Sequence, residues 1–389
     1  MPDLDEVRYS DYNVDPERGF LPKPDPLTEL PPAFAAWDAL SADLPILLLT
    51  GRLRTAVTQL PLLDTDQLTG EHQLNRAMMI LSAVGSAYVW SGPEPALRLP
   101  PGLAVPWWQI AERLDRPPIT AHASLVLHNW RRLDGERPGK ASLSNITPDN
   151  LALLQPFLGG LDESWFFLLT VAIEAAGAPA IPALLAVQEG VRAVCPTTVI
   201  ENLQLVARTL DEMTGLLARM PEQCDPTIFF HRIRPFLASW PEPGVVYEGV
   251  SEQPVLLAGG SAAQSSLLAA IDAGLGVAHK DEKTGPFLLE MRRYMPPKHR
   301  RFIAALAAGP ALRPFIQAHR QSQPSLADVY NVCLHKLTTF RKLHLEISVR
   351  YILHQAPNEE AARGTGGTNF VPFLSQAGKE TRAAVIGNQ

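Results

Sequence analysis

Cysteine is scarce in this chain, three in 389 residues, and Cys195, Cys224 and Cys333 lie far apart. None forms a CxxC pair, which excludes zinc ribbons and thiol redox motifs and leaves reduced packing residues. A basic excess is also missing. The formal net charge is -6, so no general field draws the chain to a polyanion and nucleic acid is not an expected partner. The cluster Arg292, Arg293, Lys298, His299, Arg300 and Arg301 reads instead as solvated helix ends around Met295, Pro296 and Pro297. No run of ~18 uninterrupted apolar residues suggests a membrane span. The opening MPDLDEVRYSDYNVDPERGF lacks the basic start and apolar stretch of a secretory signal, so the expected compartment is the cytoplasm. Alternating strand patterns are few and short. With no disulfide and no coiled-coil heptads, a monomer is expected.

What is present is helical periodicity with ample apolar content, 46% of residues, enough for a large core in two domains. The predicted fold is all-α: a smaller N-terminal helical domain over residues 1–150 and a large helical bundle domain over 151–389. The cut falls in DGERPGKASLSNITPDN, residues 134–150, which is polar and turn-forming. Residues 1–30 read as an irregular, Pro-rich arm on the surface. Helices are predicted over 33–40, 45–59, 72–90, 106–114 and 120–133 in the first unit. In the second they are predicted over 163–176, 181–193, 196–220, 227–240, 262–275, 286–294, 297–306 and 325–353. The charged segment 354–363 reads as a mobile loop leading into GTGGT, residues 364–368.

In the last of these helices Cys333, Leu337, Phe340, His344, Ile347 and Tyr351 recur at alternating spacings of four and three, one stripe of an α-helix. His344 therefore faces the core. A buried imidazole needs a partner for its ring nitrogens, and a metal ion is one that an apolar seam accommodates. Taken alone, a hydrogen-bonded core histidine is the commoner case. Phe166, Thr170 and Ile173 form another such stripe, normally core. Arg234 interrupts the Phe229, Phe230, Ile233, Leu237 pattern, either snorkelling to the surface or offering a fork for a carboxylate. GGSAAQSS, residues 259–266, suits a helix start approached by a flat ligand. It lacks the GxSxG frame of a nucleophile elbow, and GTGGT lacks the lysine of a P-loop. GTGGT reads as a flexible lid or a plain surface turn.

Taken in order, FFLLTVAIEAA, FFHRIRPFLASW, VVYEG, GGSAAQSS, MRRYMPPKHRRF, FRKLHLEISVRYIL and GTGGT resemble the indoleamine 2,3-dioxygenase family. The similarity runs from about Leu103 to the C-terminus. It implies b-type haem, ferrous when active, in the large domain, with L-tryptophan and O₂ as substrates and an external electron donor. His344 falls on the family's proximal haem ligand. By resemblance Phe166, Phe167 and Phe229 pack the indole, with His122, Val126 and Thr170 in the pocket wall, and Arg234 pairs with the substrate carboxylate. Ser261 and Ala262 lie close to the haem plane, Thr365 covers the substrate amine, and Arg341 and Asp272 serve the proximal side and a haem propionate. No protein acid or base is implied, since the haem iron carries the chemistry. Thr170 stands where vertebrate members carry serine, and His122 and Leu125 replace a tyrosine and a cysteine; His122 reads as a partly exposed wall residue or as a hydrogen-bonding ring for substrate or O₂. The alternatives are an O₂-binding haem protein without turnover and a haem-dependent indole monooxygenase, with a scaffold role if no haem binds.

Overall fold

The helical periodicity is realised almost throughout. In a computed structural model, which describes residues 9–134, 145–358 and 361–387, the chain is all-α with two short strand pairs. Its first helices are α1 (Ala35–Leu49), α2 (Leu53–Thr58), α3 (Gly70–Trp90) and α4 (Pro101–Arg113). Then come α5 (Leu161–Gly177), α6 (Ala180–Arg192), α7 (Pro196–Ala218) and a single turn, α8 (Pro226–Ile228). The last six are α9 (Ser266–Leu275), α10 (Thr284–Arg292), α11 (Pro297–Ala307), α12 (Leu312–His319), α13 (Pro324–Ser348) and α14 (Phe370–Ala383). Strand Arg98–Leu99 runs parallel to Val246–Tyr247, and Arg131–Arg132 antiparallel to Leu151–Ala152.

Two apolar clusters organise these elements. One gathers Trp37, Trp107, Trp130, Phe157 and Phe167 with the α3–α4 pair and reaches Tyr351. Packing there is tight enough that a Cβ on Gly85 would lie 2.1 Å from Trp107 Cζ3. The other lies between α6, α7, α9, α11 and α13, filled by Leu184, Leu203, Leu210, Phe302 and Leu337. The first cluster draws on residues from both sides of Asn150, and most of the boundary segment, residues 135–144, lies outside the described residues. Two segments, Pro32–Leu49 and Leu161–Arg192, are apolar and long enough to cross a membrane, and 72% of the second is buried inside the protein.

Several sequence expectations are corrected. The predicted helix over 120–133 is a single π-helical turn, Ala123–Leu127, followed by a strand, because Asn129 is drawn away into paired bonds with the Gln155 backbone. Helix 227–240 is broken into one α-turn, a π-turn (Phe229–Ile233) and a 3₁₀ turn (Arg234–Leu237), since Pro235 supplies no N–H. Ser265 divides 262–275 by capping α9 through its hydroxyl. Helices α12 and α14 were not anticipated. The N-terminal arm does not lie on the surface: Phe20 and Leu21 are buried, Phe20 sits 4.7 Å from the His299 ring, and Asp25 pairs with both Arg18 (2.6 Å) and Arg132 (2.7 Å).

Candidate active site

Helix α5 is held at its N-terminus by the buried Glu163 carboxylate, which accepts hydrogen bonds from the backbone N–H groups of Phe157, Leu158 and Gly159. That anchoring turns Phe166, Phe167, Thr170, Ile173 and Glu174 toward a cavity of about 1520 Å³, partly open to solvent. Phe166 meets Phe167 edge-on at 5.2 Å and Phe229 at 4.7 Å, and Phe229 meets Tyr351 at 5.8 Å. Three π-helical turns supply further walls: Leu125 and Val126 from the first, Phe229 from the second, Tyr351 and Ile352 from the turn Val349–Leu353 that ends α13. Such turns concentrate at functional sites because they re-aim side chains within a helix. Thr170 spends its hydroxyl locally, donating to Phe166 O at 2.8 Å.

The roof is the GGSAAQSS segment. Ser261 and Gln264 form a capping box, and Gln264 Oε1 also accepts from His122 N at 3.0 Å. Gly259 has no room for a side chain, since a Cβ there would lie 2.1 Å from Leu237 O. Gly260, Ser261, Ala262 and Ala263 thus present backbone and small side chains to the cavity. GTGGT closes over them: Thr365 Oγ1 donates to Gly260 O at 2.5 Å, and Ser239 Oγ donates to Thr365 O at 2.8 Å.

On the opposite wall stands His344, among Phe340, Ile347 and Phe373. Among the described residues no group bonds either ring nitrogen. Burial, reinforced by the Arg341 charge, lowers its pKa to about 4, so the ring is neutral at pH 7 with a lone pair free. The same wall borders a second cavity of about 1640 Å³, and Ala262, Ala263, Ser265, Leu268, Phe340 and His344 line both. The second cavity ends in charge. Arg341 donates to Asp272 Oδ2 (2.6 Å) and to Thr381 Oγ1, while His279 bridges Asp272 (3.2 Å) and Glu380 (2.8 Å). Burial opposes a charged His279 ring, yet Asp272 and Glu380 outweigh it and raise its pKa; Asp272 is held low by Arg341 and His279 against its own burial. Asp272 Oδ1 is buried without a partner.

These features fit a haem. Among the described residues no group of three His, Cys, Asp or Glu side chains could hold a bare metal ion, so a metal at His344 must bring its other ligands with it, as porphyrin iron does. A cavity lined by His344 and by the small residues Gly260, Ser261, Ala262 and Ala263 suits a flat macrocycle, and Arg341 and Lys280 in the lining of the second cavity suit anionic substituents.

His122, Val126, Phe166, Phe167, Thr170, Phe229, Ser261, Ala262, Thr365 and His344 all line the first cavity, and Asp272 and Arg341 the second. Arg234 is the exception. Its guanidinium donates to Arg363 O and lies over the Phe230 ring at 5.1 Å, outside the cavity lining, with no carboxylate partner among the described residues. Its Nε is buried and unbonded. Glu174, Ser265, His279, Glu380, Phe373 and Leu374 were not anticipated as site residues. Glu174 was readable, four residues beyond Thr170 on the same stripe; His279 and Glu380 carry no local signal.

Comparison with known proteins agrees with this geometry. The family model described as Indoleamine 2,3-dioxygenase matches residues 8–384. The chain is 36% identical over 399 residues to indoleamine 2,3-dioxygenase 1 of Mus musculus, covering 97% of this chain and 95% of that protein. It is 36% identical over 394 residues to indoleamine 2,3-dioxygenase 2 of Mus musculus, covering 96% and 95%. It is also 30% identical over 389 residues to a myoglobin of Haliotis madaka, covering 97% and 98%. A match along nearly the whole chain, meeting at a cavity with one free imidazole, identifies the protein as a member of the indoleamine 2,3-dioxygenase family.

Proposed function

We propose that this chain is a haem-dependent oxidoreductase that converts L-tryptophan or a related indoleamine, with O₂, to N-formylkynurenine, the first step of the kynurenine pathway. One observation carries the reading: a neutral, unbonded imidazole, His344, faces a cavity whose other wall is a box of phenyl rings under a roof of small residues. When bound, the haem supplies O₂ binding and activation and the insertion of both oxygen atoms across the indole C2–C3 bond. The finer reading is b-type haem, ferrous in the active state and reduced by an external donor, in a cytoplasmic monomer. The small N-terminal domain spans residues 1–150 and the large one 151–389.

The protein's own part is holding and sealing. His344 would hold the haem through its free ring nitrogen, and Arg341, paired with Asp272, would meet an anionic substituent of the macrocycle. Phe166, Phe167 and Phe229 clamp the indole plane, Val126 and Thr170 complete the wall, and Ser261 and Ala262 leave room for two flat rings together. The reacting groups are thereby held in contact, which supplies much of the acceleration. Thr365 covers the amine from the lid. Arg234 reaches the substrate carboxylate once it leaves Arg363 O, satisfying a guanidinium that otherwise lacks an anion.

A second reading, O₂ binding without turnover, is favoured by one observation, the absence of Arg234 from the cavity lining. Turnover separates the two. Reduced, haem-loaded protein given L-tryptophan and O₂ is expected to form N-formylkynurenine, and Arg234→Ala to lower kcat/KM by at least about 30-fold, as loss of a desolvated charge pair costs about 2–5 kcal/mol. Haem uptake without product moves the assignment to a carrier; failure to take up haem removes both readings.

A further inference from the structure

His122 and Glu174 form a buried pair in the wall of the first cavity that the clamp and the haem ligand do not use. His122 Nε2 lies 2.8 Å from Glu174 Oε1, and Ser265 Oγ donates to the same oxygen at 2.7 Å. Both side chains are almost sealed, 6% and 4% exposed, and both line the cavity. The backbone is fixed as well, through His122 N on Gln264. Two atoms remain open: His122 Nδ1 has no partner among the described residues, and Glu174 Oε2 is buried with none.

The chemistry of such a pair sets a direction. A carboxylate on one ring nitrogen fixes the tautomer with the proton on that nitrogen, so Nε2–H donates to Glu174 and Nδ1 carries a lone pair. The charge on Glu174 polarises the ring and makes Nδ1 a stronger acceptor. The walls beside it, Leu125, Val126, Phe166, Phe167 and Ile173, offer no acceptor of their own in their side chains; Thr170 Oγ1, whose proton goes to Phe166 O, keeps its lone pairs. An aromatic ligand bearing a ring N–H would bury that donor uncompensated against these apolar walls; the side-chain acceptors beside them are His122 Nδ1 and Thr170 Oγ1, Glu174 Oε2 being itself buried.

We infer that His122 is a specificity-determining residue whose Nδ1 accepts the ring N–H of the bound indole, with Glu174 as the positioning residue that holds it in the accepting tautomer. The inference rests on the reading of this cavity as an indole site. It gives the chain a means to prefer indoles over isosteric rings without the N–H, since a buried donor left unpaired costs more than the bond itself returns.

The test uses the haem-loaded protein and two probes, L-tryptophan and its benzothiophene analogue, which has sulfur in place of the ring N–H at nearly equal size. Binding is read from the haem optical spectrum, with kcat and KM alongside. Wild type is expected to bind tryptophan about tenfold more tightly than the analogue. His122→Phe removes the acceptor and brings that ratio to about one. His122→Asn keeps an acceptor near the Nδ1 position and restores most of the preference. Glu174→Gln keeps an acceptor but drops the charge, giving an intermediate ratio. An equal loss for both probes in His122→Phe, or an unchanged ratio, overturns the assignment and leaves His122 as a wall; an unchanged ratio in Glu174→Gln overturns Glu174's part. Should His122→Phe fail to take up haem, His122→Leu, which likewise lacks an acceptor, is read in its place, with the same outcomes. If wild type responds to neither probe, the indole-site reading falls and this inference with it, whereas a tryptophan response with an unaltered ratio sinks the inference alone.

Discussion

The two cavities that meet at His344 are built by opposite means. The first is walled by Phe166, Phe167, Phe229 and Tyr351 and holds a ligand by shape and by the exclusion of water. The second ends in Arg341, Asp272, His279 and Glu380, four charge-bearing side chains locked to one another. Aromatic walls tolerate some variation in size, because dispersion contacts are individually weak. A buried charge network does not, because each member compensates another's desolvation. Under the proposed function, variation among substrates would be absorbed on the first side, while the second would set how firmly the cofactor and α14 are held.

That contrast can be broken most severely at the residue both cavities share. His344→Ala is expected to abolish stable haem retention, measured as loss of the Soret band after gel filtration; retained haem with an unaltered spectrum would sink the assignment of His344 as the residue that holds it. Next in size is Asp272→Asn, which strands Arg341 and His279 in a buried setting. A loss of about 3–5 kcal/mol in unfolding free energy is expected from denaturant titration, against a much smaller change for a surface pair such as Arg98–Glu248. The lid should be milder: Thr365→Ala removes the bond to Gly260 O and is expected to raise KM for tryptophan by about 3- to 10-fold with kcat little changed.

The smallest effect expected is that of pH on the charged side. His279 has its pKa raised in the folded state, so its contribution is complete below the unfolded histidine value of about 6.5 and is lost as pH rises through the higher folded value. Asp272 runs the other way, contributing above its unfolded value near 4 and losing that as pH falls through its lower folded value. The melting temperature should thus fall by a few degrees at most as pH rises through the folded value, and His279→Gln should flatten that slope. A slope identical in both proteins would remove His279 from the network's energetics.

How much of this was legible in the sequence follows the same division. The stripes of α5 and α13 were readable because a 3.6-residue period survives in the letters, and they brought Phe166, Phe167, Thr170 and His344 to one cavity. The charged cluster was not. His279 and Glu380 are 101 positions apart and Arg341 and Asp272 are 69 apart, so no local pattern links them, and only the resemblance pointed to Asp272 and Arg341. Helix α14 was hidden by Pro372 and Gly378, whose propensities packing against α13 overrides. Residues 120–133 misled in the reverse sense, because an apolar run of helical period can be satisfied by one wide turn. Arg234 shows a further limit. Its position was set by the chain, but which partner its long side chain takes depends on a loop 129 residues away.

The buried N-terminal arm has a kinetic side. Among the described residues Phe20 finds its ring partners at His299 and Phe302, so during synthesis at roughly 5–20 residues per second the phenyl ring waits on the order of tens of seconds for them to emerge from the ribosome. Through that interval Phe20 and Leu21 are sticky and uncovered, flanked by Asp15, Glu17, Arg18 and Asp25, whose charges keep the nascent segment solvated until its berth exists.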